Sequence, residues 1–347
     1  MTNPPLDERS REVLKSIIQL HVSTGEPVGS ESLARALGRT LSSATLRNIM
    51  AELEKKGYLD HPHTSAGRQP TDEGYRVYVD SLMSLAPLPA RDAAAIDSEL
   101  RTLEGSPTQV METATHLLSR HSGKVGFVLV PDVSRATLRR VDLVRLPYPR
   151  ILVVMVSLTG LVTNRIIEVE EELTQEDLQA CANYLSSEFS GLGLDAIRAR
   201  LLVLMQQEKA LYDSLLKNVV SVGGRAFSED GEADLYLEGT SKLLDAPELN
   251  DIARMRALFK AFEEKGRLVK ILNACLSKDG VRITIGHENP DPDLRQVALV
   301  TASVPLDPDG AWGLGVVGST RMEYGRMIAL VEHVARALNQ TLKELRS

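Results

Sequence analysis

The pattern of apolar and polar positions changes character twice along the chain. In LSSATLRNIMAELEKKGYL, Leu46, Ile49, Met50 and Leu53 recur at i, i+3, i+4 and i+7, which puts them on one stripe of a helix. Ala44, Arg47, Asn48, Ala51 and Lys55 take the opposite face, and Ser42 or Ser43 is placed to cap the start. Upstream, residues 7–23 predict an amphipathic helix on Leu6, Val13, Leu14, Ile17 and Ile18, and GSESLARALG predicts a short second helix, capped by Ser30 and ended by Gly38. Three helices with a tight connection before the third predict a helix-turn-helix. Gly57, Tyr58 and Leu59 end the third helix. The polar loop DHPHTSAGR and a helix from about Thr71 then read as the wing of a winged helix.

Pro87 and Pro89 in SLAPLPARD interrupt the helical texture and predict a linker. After two polar helical stretches, 91–104 and 107–121, runs rich in Val, Ile and Leu predict strands over 124–130, 137–146, 151–158 and 161–169. Thr174, Glu176 and Asp177 signal a helix start, with helices expected over 175–189 and 194–222. Strand patterns return over 281–286, 295–304 and 311–318, ahead of a final helix over 322–345. Because the strands at both ends read as parts of one sheet, the stretch 223–279 is expected to be an insertion, opened by a turn at Gly223 and Gly224. Ile328, Val331, Ala335, Leu338, Leu342 and Leu345 form a seam-like series, too short for a coiled coil and expected to pack on the domain's own sheet.

Composition narrows the function. The 347 residues have room for two or three cores, and with 25% charged and 43% hydrophobic residues they describe a globular chain. A net charge of −7 excludes indiscriminate nucleic-acid coating. No apolar run is long enough to span a bilayer and the start lacks a signal-peptide order, so a cytoplasmic protein without membrane association is expected. Cys181 and Cys275 lie far apart and read as packing residues. His61 and His63 flank Pro62 without a carboxylate or thiol cluster, so no metal is expected. Gly313, Gly315 and Gly318 match G-x-G-x-x-G, but only 29 residues follow, too few for a dinucleotide-binding unit. No nucleophile or paired-carboxylate signature accompanies the seven histidines, and neither enzyme activity nor a cofactor is expected.

The third helix carries chemistry suited to double-stranded DNA. Arg47 and Asn48 are the side chains that make bidentate contacts with guanine and adenine edges, while Ala44 keeps the backbone low. Ser42, Ser43, Thr45 and Lys55 are candidates for holding phosphate, and the loop residues His63, Thr64, Ser65 and Arg68 for backbone or minor-groove contact, Arg68 foremost. The region is weakly basic: residues 35–76 hold seven Lys or Arg against five acids, and the first 80 residues hold ten against eleven. Affinity would then rest on a few placed contacts.

The run SSATLRNIMAELEKKGYLDHPHTSAGRQPTDEGYRVYVD closely resembles the heat-inducible transcription repressor HrcA family, in its S-S-A-T-L-R-N core and its P-H-T-S-A-G-R wing. The resemblance continues through YLEGTSKLL and GVVGSTRMEYGRMIALVE. Ile49 departs from the acidic residue the family often carries there and extends the apolar stripe. The resemblance implies a repressor of chaperone operons that binds an inverted repeat, with a GAF-like α/β sheet domain, an inserted α+β dimerisation segment and chaperonin-dependent activity. An inverted repeat in turn requires a two-fold homodimer. The expected organisation is multidomain α+β: a winged helix-turn-helix over 1–85, a linker over 86–105, the GAF-like domain over 106–222 and 280–347, and the dimerisation segment over 223–279. Two rivals are a small-molecule sensor switching the DNA module and a protein-interaction module with vestigial DNA binding.

Overall fold

Asp7 accepts the backbone N–H of Ser10 at 2.7 Å and so starts helix α1 (Glu8–Thr24), which Gly25 ends in the left-handed region at φ 77°. The structure is a computed structural model that describes residues 6–61, 67–85, 87–101, 107–130, 137–158, 160, 162–205, 214–227, 235–249, 251–277, 280–306 and 310–344. Helices α2 (Ser30–Ala36) and α3 (Ser43–Lys55) follow, then a short antiparallel pair, β1 (Leu59–Asp60) with β2 (Gln69–Pro70), and helix α4 (Asp72–Val77). Val13, Leu14, Ile17 and Ile18 of α1 bury against Leu33 of α2 and Leu46, Met50 and Leu53 of α3. The expected cap at Ser30 is not made. Gly29 holds that position, and the Ser30 hydroxyl pairs instead with that of Ser43 at 2.9 Å, tying α2 to α3.

Helix α5 (Ala90–Arg101) occupies the expected linker and is no loose tether, since Ile96 and Leu100 are fully buried. Next come α6 (Pro107–Ser122), strands β3 (Val125–Leu129), β4 (Leu138–Arg145), β5 (Arg150–Ser157) and β6 (Val162–Glu168), and helices α7 (Gln175–Phe189), α8 (Leu194–Met205) and α9 (Ser214–Ala226). The chain continues through β7 (Leu235–Glu238), α10 (Ile252–Glu263), α11 (Lys265–Cys275), β8 (Val281–Ile285), β9 (Val297–Leu306), β10 (Gly310–Ser319) and α12 (Tyr324–Glu344).

The strands do not join one sheet. Five of them pair antiparallel in the order β7-β3-β10-β9-β8, while β4-β5-β6 form a separate meander. Every residue of β3 is buried, so it needs a neighbour on each side, and it takes β10 and β7. Strands β4 and β5 alternate buried and open positions, the pattern of a sheet covered on one face only. That cover is α7, whose Leu178, Cys181, Leu185 and Phe189 pack with Val141, Val153 and Ile167. The expectation of 223–279 as the insertion is therefore corrected in its topology. The excursion from the five-stranded sheet is the β4–α9 stretch, whereas β7 pairs within that sheet and α10 and α11 cover it through Leu258, Ala261, Leu268 and Leu272. Gly223 lies inside α9 rather than in a turn, where its missing side chain admits Leu201 and Leu185.

The period of two in β9 divides the five-stranded core. Ala298, Val300 and Ala302 face α6 and α12, while Val297 and Leu299 face α10 and α11. Helix α12 packs on the domain's own sheet as expected, burying Met327, Leu330, Val331, Val334 and Leu338. Two glycines of the G-x-G-x-x-G string permit close packing: a Cβ on Gly313 would lie 2.5 Å from Leu276, and one on Gly315 would lie 2.3 Å from the Val300 carbonyl oxygen.

Candidate nucleic-acid interface

Helix α3 is built by its cap and its stripe. Ser42 accepts the Thr45 N–H at 3.1 Å and shares a 2.9 Å contact with the Thr45 hydroxyl, so the cap is Ser42 rather than Ser43. Leu46, Met50 and Leu53 are buried to 1% exposure or less, which fixes the rotation of the helix. Ile49 is only half-buried, at the edge of the stripe. Ala44, Arg47, Asn48 and Lys55 are exposed, so the face opposite the core is polar and cationic. Ser43 and Thr45 are half-buried, their hydroxyls engaged by Ser30 and Ser42 respectively.

The adjoining hairpin is held at its base. Its strands pair Leu59 with Pro70 and Asp60 with Gln69, and Arg68 exchanges backbone hydrogen bonds with Val28 at 2.8 and 2.9 Å. Gly67 passes so near the α1–α2 connection that a Cβ there would sit 2.4 Å from the Val28 carbonyl carbon. The Arg68 side chain turns toward α3, its Nε–H donating to Glu54 at 2.8 Å. His63, Thr64 and Ser65 lie outside the described residues.

The last turn of α2 and the turn into α3 add two cations that the sequence pattern did not single out. Arg35 and Arg39 are both exposed, and Arg39 follows Gly38 with φ of 60°, a left-handed residue directly after a left-handed glycine. The available signal was position, since both stand within eight residues of the Ser42 cap. Among the described residues no group of three or more His, Cys, Asp or Glu is arranged to hold a metal ion. No described helix is long and apolar enough to cross a membrane.

Fold and site together define a multidomain mixed α/β protein whose N-terminal helical unit presents one polar, cationic helix face. The family model described as "HrcA protein C terminal domain" matches residues 108–328. Three curated relatives, each named heat-inducible transcription repressor HrcA, are similar over nearly their whole lengths. The one from Geobacter sulfurreducens is 38% identical, covering 97% of this chain and 98% of its own. That from Syntrophobacter fumaroxidans is 36% identical, with 98% of each chain covered, and that from Xanthomonas euvesicatoria is 37% identical, with 98% and 97% covered. A crystal structure described as a hypothetical protein shares the fold at TM-score 0.64 and 22% identity, covering 98% of this chain and all of that one. The chain belongs to the HrcA family, whose named members are transcription repressors rather than enzymes.

Proposed function

We propose that this protein is a heat-responsive transcriptional repressor that binds an inverted-repeat operator of chaperone genes as a homodimer. The observation that carries the reading is α3, whose Leu46, Met50 and Leu53 are buried while Arg47 and Asn48 stand exposed on the opposite side. In this reading α1–α3 with the hairpin form a winged helix-turn-helix, Arg47 and Asn48 read base edges, and Lys55 with the Ser42–Thr45 turn meets phosphate. His63, Thr64 and Ser65 meet the DNA backbone or minor groove, and the five-stranded domain is GAF-like. The relatives' names support the heat-responsive repressor role, and a cytoplasmic site of action goes with it.

The homodimer contact belongs on the open face of β4-β5-β6. Cross-strand rows there are Val144, Leu152, Ile166, then Asp142, Val154, Asn164, then Arg140, Val156, Val162, with Val144, Val162 and Ile166 exposed. A face on which six of nine positions are aliphatic, on a sheet covered only on its other side, is an association surface. Chaperonin assistance would raise the active fraction of such a dimer, and heating would lower it. Footprinting of the purified protein on DNA upstream of its host's chaperonin genes, with and without chaperonin, tests the proposal. A protected inverted repeat that Arg47→Ala abolishes supports it, and the absence of protection overturns it.

A sensor reading rests on a 400 Å³ cavity between β9 and α12, lined by Val304, Ile328, Ala335, Glu332 and Arg336. It requires that small molecules from a cell extract shift operator affinity while chaperonin leaves it unchanged.

A further inference from the structure

Among the described residues, side-chain hydrogen bonds join the recognition unit to the sheet domain at two separate points. At the first, Asp72 and Arg76, one turn apart on α4, meet the turn that leaves β8. The Asp72 carboxylate accepts the His287 backbone N–H at 2.9 Å, and its Oδ2 lies 2.5 Å from His287 Nδ1. Arg76 makes a two-point contact with Glu288, at 2.7 and 2.5 Å, and donates to the Ile283 carbonyl at 2.8 Å. Strand β8 is the edge of its sheet, so this guanidinium also satisfies an outward-facing edge carbonyl. Gly286 makes the approach possible: its φ is +50°, and a Cβ there would fall 1.9 Å from the Asp72 carboxylate. At the second point, Arg321 donates to the Val22 carbonyl near the end of α1 at 3.1 Å and pairs with Glu248. Tyr75, on α4 between Asp72 and Arg76, adds a ring contact, 5.8 Å from Tyr324 of the sheet domain.

The start of α4, at the Thr71 cap just before Asp72, is fixed to the residues that follow the recognition helix. Thr71 donates its hydroxyl to the Gly57 carbonyl at 2.6 Å and its N–H to the Tyr58 carbonyl at 3.1 Å, directly after α3. Gly74 passes so close that a Cβ would sit 2.2 Å from the Tyr58 oxygen. A short rigid path therefore runs from α3 through α4 to the 286–288 turn. One contact would tether the unit, whereas two separated contacts also set its orientation.

We propose that Asp72 and Arg76 are positioning residues: they lock α4 to the 286–288 turn and so set the angle and spacing at which a dimer presents its two α3 helices. This rests on the operator reading above. Bivalent binding is lost when geometry forbids both modules from engaging, even though each module is intact.

The test uses the full-length chain and the variants Arg76→Gln and Asp72→Asn. Spin labels at Glu52→Cys on α3 and Lys265→Cys on the sheet domain report their mutual placement without DNA. The variants should broaden a single narrow distance distribution. On a duplex carrying the footprinted inverted repeat they should lose at least about tenfold in affinity, against less than about twofold on a duplex with one half-site. They should also discriminate less against a repeat whose half-sites are moved apart by half a turn, ~5 bp. Unchanged distance distributions, or equal losses on the full and half duplexes, would overturn the proposal. If the unaltered protein bound neither duplex, the operator reading would fall, while the distance measurement would still decide whether these residues lock the unit.

Discussion

Arg68 reaches back from the base of the hairpin to Glu54 on α3, Nε to Oε2 at 2.8 Å, while its backbone pairs with Val28. The pair is partly shielded, the two side chains 20% and 33% exposed, and joins three segments that sequence separates by up to 40 positions. An ion pair of this exposure contributes up to about 1 kcal/mol. In the proposed repressor, Arg68→Ala and Glu54→Ala should weaken operator binding alike, by about fivefold. Competition titrations decide it: a loss confined to Arg68→Ala would assign the arginine to phosphate instead.

Arg47→Ala and Asn48→Ala remove exposed side chains opposite a buried stripe, so thermal unfolding should scarcely change. Each should cost about 1–3 kcal/mol on the operator and relax preference at one base position. Measuring affinity across a set of single-base operator variants checks both expectations. Uniform weakening across all bases would transfer the residue to the phosphate class.

Local elements were legible because their signals are local. The 3.6-residue stripe of Leu46, Met50 and Leu53 and the Thr174 start signal, which closes a capping box with Asp177, sit where the pattern put them. Pairing was not legible. Strand β3 lies opposite β10, nearly 190 positions away in sequence, and opposite β7 across the whole β4–α9 excursion. Apolar runs reveal that a strand is buried but not which neighbour completes its ladder, so 137–169 and 281–318 read as one sheet. The same limit hid the 286–288 turn, whose meaning depends on Asp72, 214 positions upstream of Gly286. The exposed face of α3 was legible because a helix declares its solvent side through its buried one.

Salt dependence follows from which cations are free to meet phosphate. Arg68 is engaged by Glu54, and Arg76 by Glu288 and Asp80. Arg35, Arg39 and Lys55 remain exposed around α3 beside Arg47. About three phosphate contacts per protomer would give the dimer a slope of log affinity on log salt near −5, about half that of strongly basic repressors. Operator titrations across a salt series measure it, and a slope near −10 would show that other cations carry the binding.

Ile166 lies on the open face of β6, 57% exposed, in one row with Leu152 and Val144. Ile166→Glu puts a charge on that face without disturbing the side packed by α7. Sedimentation velocity should show monomers of unchanged thermal stability, with full-operator affinity falling while half-site binding persists. A variant that remains dimeric would move the contact to another surface.

The two cysteines sit in different cores and can report on each. Cys181 lies on α7 and faces the β4–β6 sheet, where burial, aided by the nearby Asp177 charge, pushes its thiol up to about 11. Cys275 ends α11 against the five-stranded sheet, its thiol also raised by burial. Both are protonated at neutral pH and shielded, so a thiol-specific reagent should label the native protein only through unfolding. With increasing urea, Cys181 and Cys275 should become reactive at separate midpoints if the meander unit opens independently of the larger sheet, and mass spectrometry of digests assigns each. Rapid labelling of either thiol in the folded protein would contradict this burial. Coincident midpoints would show that the excursion between β3 and β7 unfolds with the sheet from which it departs.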